Sequence, residues 1–74
     1  MPVVKVDYKG LKCPQPSMEI AKQALHMKQG DILSAVADCA TFEADVRSWC
    51  QRRQKVLLSV NDLSGGVKEV QIQF

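Results

Sequence analysis

The chain has 74 residues and a formal net charge of +2 at pH 7, and hydrophobic residues make up 46% of it. Its length excludes a two-domain enzyme, since one domain typically takes ~100 residues or more. The composition is that of a globular chain, and the net charge is too small to indicate a nucleic acid or a membrane as partner. The N-terminal residues carry charges where a signal peptide would be apolar, and no apolar run reaches the length of a membrane span. We therefore expect a cytoplasmic protein.

The first half of the chain predicts a strand, a helix and a second strand. Residues 2–8 alternate between two faces with the period of a half-buried strand. Apolar residues at spacings of three and four predict a helix from Pro14 to about Lys28, which Gly30 would close as a left-handed cap. From Ile32 to Asp38, hydrophobic residues occupy both odd and even positions, which predicts a central strand.

The second half predicts another helix and a closing hairpin. Thr41 is the expected N-cap of the helix, whose apolar spacing runs to about Arg53. A β-branched and Leu-rich run from Lys55 to Val60, turn-forming residues at 61–66 and alternation over 70–74 predict two paired strands.

The predicted order is βαβαββ, which is an α+β fold. Each helix can lay its apolar stripe on the same face of the sheet. The expected architecture is therefore a two-layer α/β sandwich, with a four-stranded mixed sheet that carries both helices on one face and leaves the other face largely exposed. The strand order within the sheet stays open.

Three cysteines, Cys13, Cys39 and Cys50, are an odd number, so one stays unpaired in any intramolecular scheme. None of their spacings is the Cys-x-x-Cys of a zinc ribbon or of a thioredoxin-like site. This argues against a disulfide-stapled secreted mini-protein and favours a reducing compartment, in which a free thiol survives.

The segment most informative about chemistry places Cys13 between a loop and the first predicted helix. Pro14 and Pro16 suit the first helical turn, where backbone N–H groups have no intrahelical acceptor, and they fix the start of the helix. Cys13 then falls at the N-cap, where the positive end of the helix dipole favours a thiolate and lowers the thiol pKa from about 8.5. Because Ser, Thr, Asp or Asn caps a helix better, a cysteine here indicates reactivity rather than capping.

Three further residues of the same loop support this interpretation. Gly10 permits a tight approach of the chain into the helix, and Lys9 and Lys12 add to the positive field around the sulfur.

The segment resembles the signature of the TusA/SirA-like sulfur carriers, in which a strand ending in Asp is followed by Gly-Leu-x-Cys-Pro-x-Pro at the start of the first helix. The matching residues are Asp7, Gly10, Leu11, Cys13, Pro14 and Pro16, and the resemblance continues through Lys28-Gln29-Gly30, Asp38, Trp49 and the closing hairpin. Two departures stand out. Asp38-Cys39 replace the usual Asp-Pro, and Gln54-Lys55 replace a Gly-His pair, which changes the turn after the second helix.

The resemblance implies a single TusA-like domain over residues 1–74, with Cys13 carrying sulfur as a persulfide. The donor would be a cysteine desulfurase or a rhodanese-like protein, and the acceptor a relay protein serving tRNA thiolation, cofactor synthesis or sulfur oxidation. The chemistry fits, because a thiolate attacks donor sulfur directly and the resulting terminal sulfur is open to an acceptor thiolate. Neither half-reaction requires a general base, a metal or another cofactor.

Cys39 is a possible second thiol. If the strands run parallel, the loops that carry Cys13 and Cys39 lie at the same edge of the sheet. Packing is the favoured interpretation of Cys39, as a small semi-buried residue, and also of Cys50 on the apolar stripe of the second helix. His26 reads as a surface or boundary residue, and a zinc site would need separate elements to converge without any short-range ligand pair.

Arg52 and Arg53 form a basic cluster around the end of the second helix together with Arg47 and Lys55. Favourable placement at the negative end of the helix dipole explains them, and partner docking is the alternative. No aromatic stacking surface accompanies the cluster, which weighs against direct nucleic-acid binding. Two other functions stay open: a regulatory module that binds protein or RNA, and a thiol–disulfide redox protein using Cys13 with Cys39.

Overall fold

A computed structural model describes residues 3–13 and 15–74. Its elements follow the predicted order, with a short 3₁₀ turn before the last strand: β1 Val3–Asp7, α1 Gln15–Ala24, β2 Ile32–Ala37, α2 Phe42–Arg53, β3 Val56–Asp62, the turn Ser64–Gly66, and β4 Lys68–Gln73. The strands form one four-stranded sheet in the order β1-β2-β4-β3. β1 is parallel to β2, and β4 runs antiparallel to both β2 and β3. The prediction of an α+β fold with a mixed sheet is confirmed.

The core lies between the sheet and the two helices. Alternate residues of β2, beginning with Leu33 and Ala35, are fully buried and lie opposite Ile72 and Val70 of β4. Both helices add side chains to this same cluster: Ile20 from α1, and Phe42, Val46, Trp49 and Cys50 from α2. A chain this short buries only ~60% of its unfolded surface, so one continuous core must supply most of its stability.

The other face of the sheet carries both polar and aliphatic side chains and is open at its edges. At its centre, Ser34 is only 2% exposed and donates a hydrogen bond of 3.3 Å to Glu69. Val3 and Val56, on the two edge strands, are about half exposed.

Helix α1 is shorter than predicted, and Gly30 is not its cap. The helix ends at Ala24, and the next backbone N–H groups donate to carbonyls three residues back, as from Leu25 to Lys22 (3.1 Å). Leu25 is 84% exposed, so its apolar spacing does not mark a buried helical turn. Gly30, at φ 93°, instead joins the loop to the sheet, because its N–H donates to the carbonyl of Phe74 (2.6 Å).

Helix α2 has the predicted bounds, but its two ends differ from expectation. The Thr41 hydroxyl makes no hydrogen bond to the helix backbone and donates instead to Asp45 Oδ2 (2.9 Å). At the other end, Gln54 takes the left-handed conformation (φ 57°, ψ 40°). The chain lacks the glycine that the family usually has after this helix, and Gln54 takes the left-handed conformation in its place. The Lys55 N–H donates to the Cys50 carbonyl (2.9 Å) and closes the turn.

An ion-pair cluster ties α2 to the last hairpin. Glu43 lies 2.9 Å from both Lys68 Nζ and Arg47 Nη2, and Lys68 also lies 3.3 Å from Asp62. Hydrogen bonds from Lys68, and then from Arg47, lower the pKa of the Glu43 carboxyl. Arg47 therefore pairs with a carboxylate of its own helix and does not contribute an unpaired positive charge to the surface.

Candidate functional site

Cys13 and Cys39 are joined by a disulfide, with their Cα atoms 5.5 Å apart. Cys13 is exposed, whereas Cys39 is 8% exposed and belongs to the core cluster. The two residues follow β1 and β2, which are adjacent and parallel, so the loops after them leave the same edge of the sheet. The favoured interpretation of Cys39 as a packing residue is therefore incomplete, since Cys39 is packed and is also bonded to Cys13.

The backbone holds the Cys13 loop in place independently of the disulfide. The Tyr8 N–H donates to the carbonyl of Val36 (2.7 Å), which continues the pairing of β1 with β2 by one residue. Gly10 takes φ 88°, a left-handed conformation that favours glycine. Its N–H donates to Asp38 Oδ1 (3.1 Å), at the end of β2, across 28 residues of sequence.

Asp38 belongs to the candidate site, and the sequence predicts no role for it beyond the family resemblance. Its carboxylate connects the loop that carries Cys13 to the segment that carries Cys39. The signal available in the sequence was an aspartate at the end of a predicted central strand, where a polar side chain can meet the neighbouring loop.

Cys13 lies in the turn that leads into α1, and its predicted place at the N-cap stays a prediction, because Pro14 lies outside the described residues. The helix begins at Gln15, two residues further on, and the Gln15 N–H donates to the carbonyl of Lys12 (2.7 Å), so Cys13 lies within a tight turn. Pro16 is fully buried in the first turn of the helix, and its supporting role stays a prediction. Pro14, the other predicted support, lies outside the described residues.

The two lysines of the loop have different surroundings. Lys9 Nζ lies 3.7 Å from Asp7 Oδ2, and the Lys9 backbone N–H donates to Asp7 Oδ1 (2.9 Å), so Asp7 offsets the charge of Lys9 locally. Lys12 is exposed and is the residue next to Cys13. Of the two, Lys12 is the better placed to favour an anion on the Cys13 sulfur.

Cys39 has a polar neighbour of its own. Its Sγ lies 3.5 Å from Thr41 Oγ1, and the Thr41 hydroxyl donates to Asp45. The Thr41 oxygen can therefore accept a hydrogen bond from Cys39 when that residue is a reduced thiol.

The third cysteine and the histidine lie elsewhere. Cys50 is 3% exposed in the core, and burial raises the pKa of its thiol, which keeps it protonated and unreactive. His26 is exposed just after α1. Over residues 3–13 and 15–74, no three His, Cys, Asp or Glu side chains cluster so as to hold a metal ion, and no helix there is long and apolar enough to cross a membrane.

The predicted basic cluster divides into separate parts. Arg47 pairs with Glu43, and Lys55 Nζ lies 5.3 Å from the ring centroid of Phe74. Arg52 and Arg53 are exposed and line an open groove of about 460 Å³ between the two helices. The rest of this interhelical groove is formed by Ser17, Met18, Ala21 and Trp49.

The sequence model of one protein family, described as "Sulfurtransferase TusA", matches residues 4–73. The chain belongs to the TusA family. Two curated relatives, from Neisseria meningitidis serogroup A and serogroup B, each carry the name "Putative sulfur carrier protein". Each is 33% identical to this chain over 60 residues, a match that covers 81% of either sequence.

A solved structure shows the same fold. The SirA-like protein from Desulfitobacterium hafniense superposes with a TM-score of 0.83 over 95% of each chain, at 18% sequence identity. The TusA-family assignment and the function class that the sequence predicted, a sulfur carrier of the sulfurtransferase type, are thus confirmed.

Proposed function

We propose that the reduced chain accepts sulfane sulfur as a persulfide on Cys13 and passes it to an acceptor protein, with residues 1–74 acting as one TusA-like domain. The observation that carries the proposal is the position of Cys13. Its side chain is exposed, and it lies in a loop that is fixed by backbone hydrogen bonds and by Asp38. A fixed and exposed sulfur can meet both a donor and an acceptor without a cleft around it.

The surroundings of Cys13 suit both half-reactions. A Cys13 thiolate attacks the sulfane sulfur of a donor persulfide, and the sulfur–sulfur bond of the donor breaks to release the donor cysteine as a thiolate. The thiolate of a second protein then attacks the acquired outer sulfur, and Cys13 leaves as a thiolate, ready for the next cycle. Gly10 and Pro16 hold the loop and the start of α1, and Lys12 adds positive charge beside the sulfur. The roles of Pro14 in fixing the start of the helix and of Lys9 in adding positive charge stay predictions.

The test is sulfur loading followed by intact mass. The reduced chain, with its Cys39→Ser variant beside it, is incubated anaerobically with a protein persulfide donor or with inorganic polysulfide. We expect a gain of about 32 Da that maps to the peptide containing Cys13. Cys13→Ser should gain nothing, and Cys50→Ser should load like the wild type because Cys50 is buried. Equal loading of Cys13→Ser, or none in any chain, would contradict the proposal.

The interhelical groove is the proposed docking surface for the donor or acceptor protein. It includes Ser17, in the first turn of the helix that follows the Cys13 loop, so the groove begins on the element next to that loop. Met18 is 55% exposed at its edge, and Arg52 and Arg53 give it positive charge. The fitting partner presents carboxylates beside an apolar side chain.

A thiol–disulfide redox protein is the second candidate function, and the Cys13–Cys39 disulfide is the observation that favours it. The loading experiment separates the two, since a protein that only exchanges electrons loses about 2 Da on oxidation and takes up no sulfur. An RNA-binding module has less support. All four aromatic residues, Tyr8, Phe42, Trp49 and Phe74, lie in the core or against it rather than on an open stacking surface.

The proposed reaction requires Cys13 as a free thiolate at the start of each cycle. A compartment that keeps thiols reduced, such as the cytoplasm, is therefore the proposed place of action.

A further inference from the structure

We infer that Cys39 is a resolving thiol, which discharges the sulfur on Cys13 as hydrosulfide and leaves the Cys13–Cys39 disulfide. This inference rests on the proposed function, because it starts from a persulfide on Cys13. It assigns a catalytic role to a residue that a one-cysteine carrier does not need.

The position of Cys39 supports this role. The 5.5 Å between the Cα atoms lies within the range in which two cysteines can bond without movement of the backbone. The pairing of Tyr8 with Val36 and the hydrogen bond from Gly10 to Asp38 set that separation from outside the two cysteines. We therefore expect the two loops to keep this separation when the disulfide is reduced, so that the Cys39 thiol stays next to Cys13.

The reach of Cys39 selects which sulfur it attacks. A persulfide offers an inner sulfur, the Cys13 Sγ, and an outer sulfane sulfur one bond further out. The disulfide shows that Cys39 Sγ reaches the inner one. An external acceptor approaches the exposed side of Cys13 and meets the outer sulfur first. The two thiolates thus compete for one persulfide with different products.

The step balances within the chain. The Cys39 thiolate attacks Sγ of Cys13–S–SH, the bond between the two cysteine sulfurs forms, and the bond to the outer sulfur breaks. The outer sulfur leaves as HS⁻ with the electron pair of the broken bond, so it is reduced while the two cysteines are oxidised to a disulfide. A dithiol reductant of the thioredoxin type, or two molecules of a low-molecular-weight thiol, then restores both thiols.

Burial gives Cys39 its selectivity. At 8% exposure it is screened from solvent, so it reacts with sulfur that Cys13 already holds rather than with a donor in solution. We therefore expect the persulfide on Cys13 to be short-lived, so that an acceptor must take the sulfur before Cys39 displaces it. Without an acceptor it releases sulfide and stays blocked as the disulfide until it is reduced.

The test follows the fate of one loaded sulfur. Reduced wild type, Cys39→Ser, Cys39→Ala and Cys50→Ser chains are loaded with inorganic polysulfide under anaerobic conditions and desalted. Intact mass and released sulfide are then recorded over time. We expect the wild type and Cys50→Ser to pass from a gain of about 32 Da to a loss of about 2 Da, with about one sulfide released per chain. Both Cys39 variants should keep the added sulfur, with release slower by on the order of tenfold or more.

The outcomes separate this inference from the proposed function. Loading on Cys13 that decays equally fast in the wild type and in both Cys39 variants would overturn the resolving role and leave the carrier function standing. Transfer of the added sulfur to the Cys39 peptide would overturn it as well. No loading in any chain would instead refute the persulfide on Cys13. Circular dichroism shows whether the variants fold, and two substitutions at position 39 guard against a defect peculiar to one side chain.

Discussion

Arg52 and Arg53 give the interhelical groove its positive charge, and their replacement by glutamate tests the docking proposal at the scale of single residues. We expect transfer of sulfur from a protein donor to slow by on the order of tenfold in the double variant, because charges at the edge of an interface act mainly on association. Loading by inorganic polysulfide should not change, since that donor needs no docking surface. Stopped-flow or quench measurement of both rates checks the prediction.

A matched control separates a local effect from a change in net charge. Lys5, on the open sheet face, and Lys28, in the loop before β2, are both exposed, and their double replacement by glutamate changes the net charge equally. This control should transfer sulfur at nearly the wild-type rate. Equal slowing of both double variants would show that the groove itself is not the docking surface.

The reactive residue was easier to predict than its partner. Cys13 stands in a motif of glycine and prolines that gives it a local reason to be reactive. Cys39 is 26 residues away, and its burial and its bond to Cys13 depend on how two loops pack. The sequence could place both loops at one edge of the sheet through the parallel pairing of their strands, but no local pattern encodes contact between two sulfurs or the hydrogen bond from Gly10 to Asp38.

Gln54 has a strained backbone conformation at the C-terminal end of helix α2, and its replacement by glycine tests how much this strain lowers the stability of the protein. It is the one non-glycine residue with positive φ in the described part of the chain. This conformation costs a residue that has a Cβ atom about 1 kcal/mol or more of folding free energy, whereas glycine adopts it without that cost. We expect Gln54→Gly to raise the free energy of unfolding by about 1 kcal/mol, as measured by urea denaturation.

Gln51 provides the comparison on the same helix. It is exposed and lies within α2, where the backbone is helical. Gln51→Gly should lower the free energy of unfolding by about 1 kcal/mol, because glycine is a poor helix former. Stabilisation by both substitutions, or by neither, would show that the left-handed turn at Gln54 does not control the stability of this helix end.

Element types, their order and the bounds of α2 were predictable, whereas the end of α1 and the strand order were not. The hydrophobic patterns of β2 and α2 were informative because β2, and α2 from Phe42 to Cys50, place side chains in the core. Leu25 continues the helical spacing of α1, yet it is exposed and the helix stops at Ala24, since spacing alone does not say whether a turn has a surface to pack on. The insertion of β4 between β2 and β3 depends on pairing across the whole sheet.

The redox state of the Cys13–Cys39 pair should set the stability of the whole molecule, because the bond closes a loop of 26 residues in a chain with a small core. Closing such a loop removes entropy from the unfolded chain worth about 3 kcal/mol, or on the order of 10–20 °C in a domain of this size. We expect the oxidised wild type to melt higher than the reduced wild type by this amount in scanning calorimetry, and Cys50→Ser to show the same difference. Cys39→Ser should melt at one temperature with or without reductant. Equal melting of oxidised and reduced wild type would contradict the prediction, because native loops that are already well held do not cancel the entropy that the bond removes from the unfolded chain.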